Sequence, residues 1–470
     1  MLKAKFISDL LIKEVRPYMM PPLKIWQPWR GILTLIVIVG AGIITFWLSF
    51  NTPGPMGPSG PMNWIAYIGE YHMALVNMIV FVLFFLQGWI GQRFGWGLRS
   101  LVNLVVLLIL MFVLFIIYRF TVGPTFPWML FYEINTLNVF LTMALLFQNW
   151  PLQKVRQPYQ GVGLLAIGFV VSSILYILLH NYTPFYQQAA GLPPAVASLL
   201  VPAGTDLAAL NPGGAMEAFA MATLNTMFIL FTCIFYFLFD LWPFRRLRKQ
   251  PWIGISATAA SVIISLVVWN LALIIVPQIH QVNMDLFKAA GFASADAPSG
   301  FIPLSALPPA VQENITMLLV LGSLEGNLIW ATLIWAAVFM WWPTLAFTRG
   351  GRAPFNRQPV KGFILLALAI VTAFIAFQGL HWYGLFLAPA SAWMVPNLIP
   401  PPYLLYLWLV ICWLPGLSVY TVLYAVAMES WPQSLLPPPP PDPHLYMIGR
   451  EPMLRSSKDE AKSKYVRGEL

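Results

Sequence analysis

Long apolar segments alternate with short polar or proline-containing loops along almost the whole chain. Several segments exceed the ~20 residues that a helix needs to cross the hydrocarbon core of a bilayer, so the pattern predicts membrane-spanning helices. The expected fold class is all-α, a polytopic transmembrane helical bundle with about ten spans. The predicted spans lie near residues 31–50, 64–90, 98–120, 127–149, 160–180, 215–241, 252–277, 315–341, 361–383 and 403–428.

A two-helix pattern repeats within these spans. In its clearest copy, Glu133 opens an apolar helix that ends at Trp150-Pro151. A short basic loop follows, and Gln157-Pro158 then starts a second apolar helix that ends at His180. A second copy has the same two spacings: its Glu precedes its Trp by 17 residues, and its His follows the second Pro by 22 residues. The residues of this copy are Glu325, Trp342-Pro343, Gln358-Pro359 and His381.

Two weaker copies complete the pattern. Asn225 precedes Trp242-Pro243 by 17 residues, and His72 precedes Trp89 by the same number. Four two-helix copies predict two parallel four-helix repeats, with the first and tenth spans as flanking helices. The expected organisation is a cytoplasmic N-terminal segment (1–30), the first span and outer loop (31–62), the first repeat with its outer loop (63–214), the second repeat with its outer loops (215–400), the tenth span (401–430) and a Pro-rich, charged cytoplasmic tail (431–470).

Lysine and arginine indicate the orientation of the bundle. They cluster in the loops after the second, fourth, sixth and eighth predicted spans, whereas the opposite loops contain almost none. By the positive-inside rule the basic face is cytoplasmic, which puts both termini there and predicts a bacterial cytoplasmic (inner) membrane protein. The loop residues are Arg93, Arg99, Lys154, Arg156, Arg245, Arg246, Arg248, Lys249, Arg349, Arg352, Arg357 and Lys361.

Composition supports a lipid bilayer as the environment. Hydrophobic residues make up 59% of the chain and charged residues 9%, whereas a soluble domain carries roughly 25% charged residues. The net charge of +9 does not indicate nucleic-acid binding, because the basic residues occupy short loops between apolar helices. The outer loops 181–214 and 278–314 are apolar, so we expect either short helices on the membrane interface or other subunits that cover them at the outer face and around the bundle.

Five ionisable residues are predicted to share one depth near the outer end of the hydrocarbon layer. Seventeen helical residues span about 25 Å. If each Trp lies at the cytoplasmic interface, the Glu or His that precedes it by 17 residues therefore lies near the outer end of the hydrocarbon layer. Ionisable groups inside a membrane are costly and often mark a pathway or a site. A structural interpretation stays open, in which the glutamates offset helix dipoles and the histidines anchor helices at the interface. The candidate site residues are His72, Glu133, His180, Glu325 and His381.

Other polar and aromatic residues in these helices have simpler expected roles. Tryptophan is enriched at membrane interfaces, so Trp89, Trp150, Trp242 and Trp342 are predicted to be interfacial anchors. Asparagine commonly joins helices by hydrogen bonds across a bundle. This role is expected for Asn77, Asn135, Asn138, Asn225 and Asn327.

The topology and the depth of the polar residues resemble those of the NrfD/polysulfide-reductase-type membrane subunits, especially the ten-span subunits of alternative complex III. The resemblance implies two parallel four-helix bundles with flanking helices and cytoplasmic termini. It also implies that quinol is taken near the outer face and that an iron–sulfur or haem partner there receives the electrons. The five candidate residues would then lie near a quinol headgroup or a proton exit.

Three functions are compatible with the sequence. The first is a quinol-interacting or proton-conducting subunit of a respiratory electron-transfer complex, in which histidine and carboxylate groups accept protons. The second is a secondary transporter or channel, and the third is a membrane enzyme with a His/carboxylate metal site. Quinone or quinol is the expected ligand of the first. The sequence contains no nucleotide motif, no cysteine set for a cluster and no facing histidine pair for haem, so no haem or iron–sulfur cluster is expected on this chain by itself.

Overall fold

The computed structural model describes residues 31–38, 40, 74–87, 89–90, 96–123, 128–190, 206–247, 249–289, 340, 343–344, 347 and 358–387. Within these ranges the chain is mostly helical, and four helices are long and apolar enough to cross a membrane. The prediction of an all-α chain with membrane-spanning helices is confirmed in this form. The predicted segments 1–30, 401–430 and 431–470 and nearly all of the span at 315–341 lie outside the described residues.

The helices, numbered in chain order, are α1 (Ala74–Phe85), α2 (Trp96–Thr121), α3 (Leu130–Leu146), α4 (Tyr159–Leu179), α5 (Thr183–Ala190), α6 (Leu207–Leu210), α7 (Ala218–Leu238), α8 (Trp252–Ala289) and α9 (Val360–Leu387). Two short strands, β1 (His180–Asn181) and β2 (Met216–Glu217), pair in parallel. Below, the end of the bundle at the basic loops is called the inner end, and the end at β1 and β2 is called the outer end.

The predicted spans at 98–120 and 160–180 match α2 and α4 to within two residues. Helix α8 is longer than predicted, because it continues from Trp252 beyond Pro277 to Ala289. Proline removes one backbone donor, but neighbouring groups of a membrane bundle can compensate for that loss. The prediction that this helix ends at 277 is therefore wrong.

The inner ends of α1, α3 and α7 share a local structure. Their last turns are π-helical, over Val80–Phe85, Thr142–Leu146 and Ile234–Leu238. A left-handed residue follows each turn, with φ of 53° at Gln87, 52° at Gln148 and 51° at Asp240. Helix α3 thus ends four residues before Trp150 rather than at Trp150-Pro151 as predicted, because the left-handed backbone stops the helix before the proline does.

In the three predicted hairpins whose two helices the structure describes, the first helix is largely buried and the second has an exposed apolar face. In α7, 83% of the apolar window is buried, against 28%, 22% and 28% in α2, α4 and α8. The exposed faces of the outer helices are apolar, with side chains such as Phe112, Val170 and Ile263. Apolar surface on this scale is unfavourable in water and fits a lipid environment.

Helices α3 and α7 run in the same direction at the centre. The rings of Phe131 and Phe219, near the outer ends, lie 4.8 Å apart. Further along, Asn138 donates a hydrogen bond to Asn225 at 2.7 Å. From the first contact to the second, the residue numbers increase in both helices. The first helices of these two neighbouring hairpins are therefore parallel.

Candidate functional site

Glu133 lies in the first turn of α3, and its side chain is completely buried. Its backbone carbonyl oxygen accepts a hydrogen bond from Asn77 Nδ2 of α1 at 3.2 Å. Tyr118 of α2 interacts electrostatically with Glu133. The first-turn position agrees with the helix-dipole interpretation, whereas the cost of complete burial favours the functional interpretation. Removal from water must be offset by a proton, a donor or a cation.

Below Glu133, asparagine side chains join three helices. Asn138 Nδ2 donates to Asn225 Oδ1 at 2.7 Å, and Asn225 Nδ2 is 3.5 Å from Asn135 Oδ1. Asn135 Nδ2 in turn donates to the Ser172 carbonyl oxygen of α4 at 2.8 Å. The predicted helix-bridging role is confirmed for these asparagines and for Asn77. The bonds hold α4, α3 and α7 in one register beside the carboxyl group.

His180 follows α4 directly and is completely buried. Neither ring nitrogen has a hydrogen bond of normal geometry to the part of the chain that the structure describes. The ring packs against Tyr176, with centroids 4.6 Å apart. Burial lowers the pKa of His180 from 6.5 to about 4, and a contact with the Tyr176 backbone opposes this shift only weakly. The imidazole is therefore neutral at neutral pH and can accept a proton.

The tyrosine that packs on this imidazole is itself hydrogen-bonded to the outer connection. The Tyr176 and Tyr182 hydroxyl oxygens lie 2.9 Å apart. Trp128 Nε1 donates to the Tyr186 hydroxyl at 2.8 Å, which ties the start of the second hairpin to α5. Tyr182 is completely buried. His180 lies beneath aromatic side chains, in an enclosed environment.

The outer connection, residues 181–187 and 206–215 of the described chain, folds back over the bundle. Gly214 N donates to the His180 carbonyl oxygen at 2.8 Å, and Ala215 N donates to the Leu178 carbonyl oxygen at 2.9 Å. A Cβ at Gly214 would lie 2.5 Å from His180 N, so this close approach requires glycine. The expected short helices in this loop are present as α5 and α6.

Glu217 is a half-buried carboxyl group at the outer end and directly precedes α7. Its side chain accepts the backbone N–H of Phe219 at 3.0 Å and that of Ala220 at 2.7 Å. Burial raises the pKa of Glu217, and these two hydrogen bonds act in the opposite direction. Glu217 is thus an N-cap whose ionisation depends on the two backbone donors.

The side-chain contacts between α3 and α4 give the relative depths of Glu133 and His180. The Tyr132 hydroxyl is 2.9 Å from Ser173 Oγ, so Glu133 is level with the middle of α4. His180 lies seven residues beyond Ser173, about 10 Å further out at ~1.5 Å per residue. The backbone of His180 therefore lies further out than that of Glu133. The sequence-based estimate counted residues from the basic loop between α3 and α4. Helix α4 extends further from that loop than α3 does.

Of the other three predicted site residues, only His381 falls within the described chain. His72 and Glu325 lie outside the described residues. His381 lies within α9, whose backbone continues to Leu387, so the prediction that this helix ends at His381 is wrong. Of the five candidates, the structure puts Glu133 and His180 in the outer half of one hairpin.

A metal centre was one of the sequence-based alternatives. Among the residues that the structure describes, no group of three or more His, Cys, Asp or Glu side chains could hold a metal ion. The described donors near Glu133 are instead amides and hydroxyls, which suit hydrogen bonding and proton exchange.

Sequence analysis missed the residues that enclose the site. Tyr176 lies four residues before His180, one helical turn away, and this spacing could have identified it. Ser172 and Ser173 form a small polar pair within an otherwise apolar helix, which is a recognisable signal of a helix contact. The Trp128–Tyr186 bond joins distant segments, and no local pattern predicts it.

Comparison of the chain with protein-family models, with curated proteins and with solved structures gives no match in any of the three.

Proposed function

We propose that this chain is an integral membrane subunit of a multi-subunit respiratory electron-transfer complex, which interacts with quinol, conducts protons, or does both near the outer face. The observation that carries the proposal is the enclosed His180 imidazole, whose nitrogens lack hydrogen bonds to the described residues. Burying polar atoms without partners is unfavourable and is common at functional sites. A quinol hydroxyl or a passing proton would supply the missing partner.

The chemistry of quinol oxidation fits these groups. Each quinol loses two electrons and two protons, and each proton needs an acceptor. The neutral His180 imidazole has free nitrogen lone-pair capacity to accept a quinol proton as the electrons leave, and the buried carboxyl group of Glu133 offers a second proton-binding group deeper in the bundle. The electrons pass to an iron–sulfur or haem group of a partner subunit at the outer face, as the resemblance to the NrfD-type subunits implies.

The proposed architecture of the whole chain is a ten-span bundle of two parallel four-helix repeats, with flanking helices and cytoplasmic termini. Its support is the alternation of buried first helices and apolar-faced second helices in the described hairpins, together with the equal residue spacings within the repeated sequence pattern.

The first experiment is purification of the tagged chain in mild detergent, followed by a subunit gel and a visible spectrum. We expect co-purifying subunits, haem or iron–sulfur absorption, and quinol oxidation with an artificial electron acceptor. His180→Gln should lower this turnover by roughly 100-fold without loss of subunits or absorption. His444→Gln, the same change in the predicted tail, is the matched control. A colourless single polypeptide that does not respond to quinol analogues would contradict the proposal.

A further inference from the structure

Three glutamines make the same long-range contact at the inner end of the bundle. Gln157 Nε2 donates to the Phe85 carbonyl oxygen at 2.7 Å. Gln250 Nε2 donates to the Leu146 carbonyl oxygen at 2.9 Å, and Gln358 Nε2 donates to the Leu238 carbonyl oxygen at 2.9 Å. Each acceptor is the last residue of a π-helical turn. These contacts are called the three clasps, since they join the end of one helix to the start of another.

The carbonyl groups at a helix end have no partner within the helix, and leaving such a group unsatisfied in an apolar environment is costly. The glutamine amide supplies the donor. In the second and third clasps the glutamine oxygen is also used, because Gln250 Oε1 accepts the Gly254 N–H at 3.1 Å and Gln358 Oε1 accepts the Gly362 N–H at 3.2 Å. The side chain therefore fixes both helices.

A glycine completes each clasp, four residues after the glutamine. A Cβ at Gly254 would lie 2.6 Å from the ring of Phe147, the residue that follows the π turn of α3. Gly161 and Gly362 meet Leu86 and Phe239 with similar closeness. The three segments share the sequence Gln-Pro-x-x-Gly, so the pattern combines an amide donor with a surface that allows close helix approach.

The clasps connect the hairpins in chain order. Each links the first helix of one hairpin with the second helix of the next, and the linked pairs are α1 with α4, α3 with α8, and α7 with α9. We infer that the Gln-Pro-x-x-Gly segments are docking elements that recognise the π-helical end of the preceding hairpin. The bundle then assembles by sequential addition of hairpins, and each added hairpin satisfies the exposed carbonyl group of the one before it.

Because the three clasps are similar, a second helix could dock on the wrong π-helical end. An ion pair distinguishes the third clasp from the other two. In the third clasp, Lys361 Nζ lies 3.3 Å from Asp240 Oδ2, and Gln358 Nε2 also donates to this oxygen at 2.8 Å. The equivalent residues of the second clasp are Gln148 and Ile253. If α9 paired with the end of α3, Lys361 would lose its carboxylate partner. The ion pair thus selects the correct partner helix.

The first test replaces the donor. Gln250→Met keeps the side-chain length and removes the amide, and Gln153→Met is the matched control, because exposed Gln153 donates within its own loop. We expect Gln250→Met to lower the apparent melting temperature of the detergent-purified protein by at least about 2 °C relative to the control. Equal melting temperatures of the two variants would overturn the docking role.

The second test exchanges the charges. Asp240→Lys and Lys361→Asp should each lower the amount of monodisperse protein several-fold, and the double exchange should restore it. Absence of rescue by the double variant, or wild-type amounts of both single variants, would overturn the selective role of the ion pair. Rescue cannot arise from general damage to the fold, so a low yield of the single variants does not make the test ambiguous.

Discussion

Tyr176 and His180 occupy successive turns at the outer end of α4, with ring centroids 4.6 Å apart and ring planes inclined by 31°. The His180 backbone N–H donates to the Tyr176 carbonyl oxygen, and the Tyr176 hydroxyl is hydrogen-bonded to that of Tyr182. Tyr176 therefore contacts the imidazole with its ring and holds the outer connection with its hydroxyl.

The first prediction concerns acid stability. The pKa of His180 is about 4 in the folded protein, against an ordinary value of 6.5. Between these values the unfolded state binds more protons, so stability falls as the pH decreases from 6.5 towards 4. At pH 5 the loss from His180 amounts to about 2 kcal/mol. Melting temperatures of the wild type and of His180→Gln, measured at pH 7 and pH 5, check this.

The glutamine variant lacks the titrating group, so its melting temperature should decrease less between the two pH values than that of the wild type. The difference between the decreases isolates His180 from all other titrating groups. Equal decreases in the two proteins would mean that His180 is already protonated, or water-accessible, in the folded state.

The second prediction concerns the hydroxyl pair. Tyr176→Phe leaves the buried Tyr182 hydroxyl without this partner, and we expect destabilisation of about 1–3 kcal/mol. Tyr182→Phe should behave in the same way. The double variant removes both polar groups and should be less destabilised than the sum of the single variants. A double-variant cycle of thermal unfolding checks the coupling, and strict additivity would exclude it.

The third prediction concerns the backbone contact over the site. Gly214→Ala introduces a methyl group against His180 N and should detach the β1–β2 pairing. Limited proteolysis should then cleave the outer connection faster than in the wild type. Gly213→Asn is the control, because Gly213 has open space around it and a φ of 70° that asparagine tolerates. Equal cleavage of both variants would contradict the requirement for glycine.

The fourth prediction concerns the carboxyl group deeper in the bundle. Glu133→Gln preserves shape and removes ionisation, so we expect quinol oxidation or proton release to fall about 10- to 100-fold while the assembled complex remains intact. Glu460→Gln in the predicted tail is the control. An unassembled complex together with normal turnover of the remaining fraction would instead indicate a purely structural carboxyl group. Glu325→Gln, at the matching position of the second strong copy, is expected to behave like Glu133→Gln.

The sequence predicted the helical part of the fold well where apolar segments are long and uninterrupted. The bounds of α2 and α4 follow from hydropathy, because a membrane-spanning helix must satisfy its backbone internally and be apolar over its length. The prediction failed at helix ends. Helix α3 stops after Leu146 because of a π turn and a left-handed residue. Helix α8 continues through Pro277, where neighbouring groups compensate for the missing donor. Hydropathy reports neither effect.

The sequence by itself determined which segments are apolar helices, where the hairpins turn, and that Glu133 and His180 are rare ionisable groups among them. Those features are local, since they depend on residue type and spacing along one segment. The tertiary structure decided that the His180 backbone lies further out than that of Glu133, that the Tyr176 hydroxyl binds Tyr182, and that three glutamines bind the preceding hairpins. These glutamines are Gln157, Gln250 and Gln358. Such contacts depend on how far neighbouring helices extend and how they align, and these quantities are set by packing between residues distant in sequence.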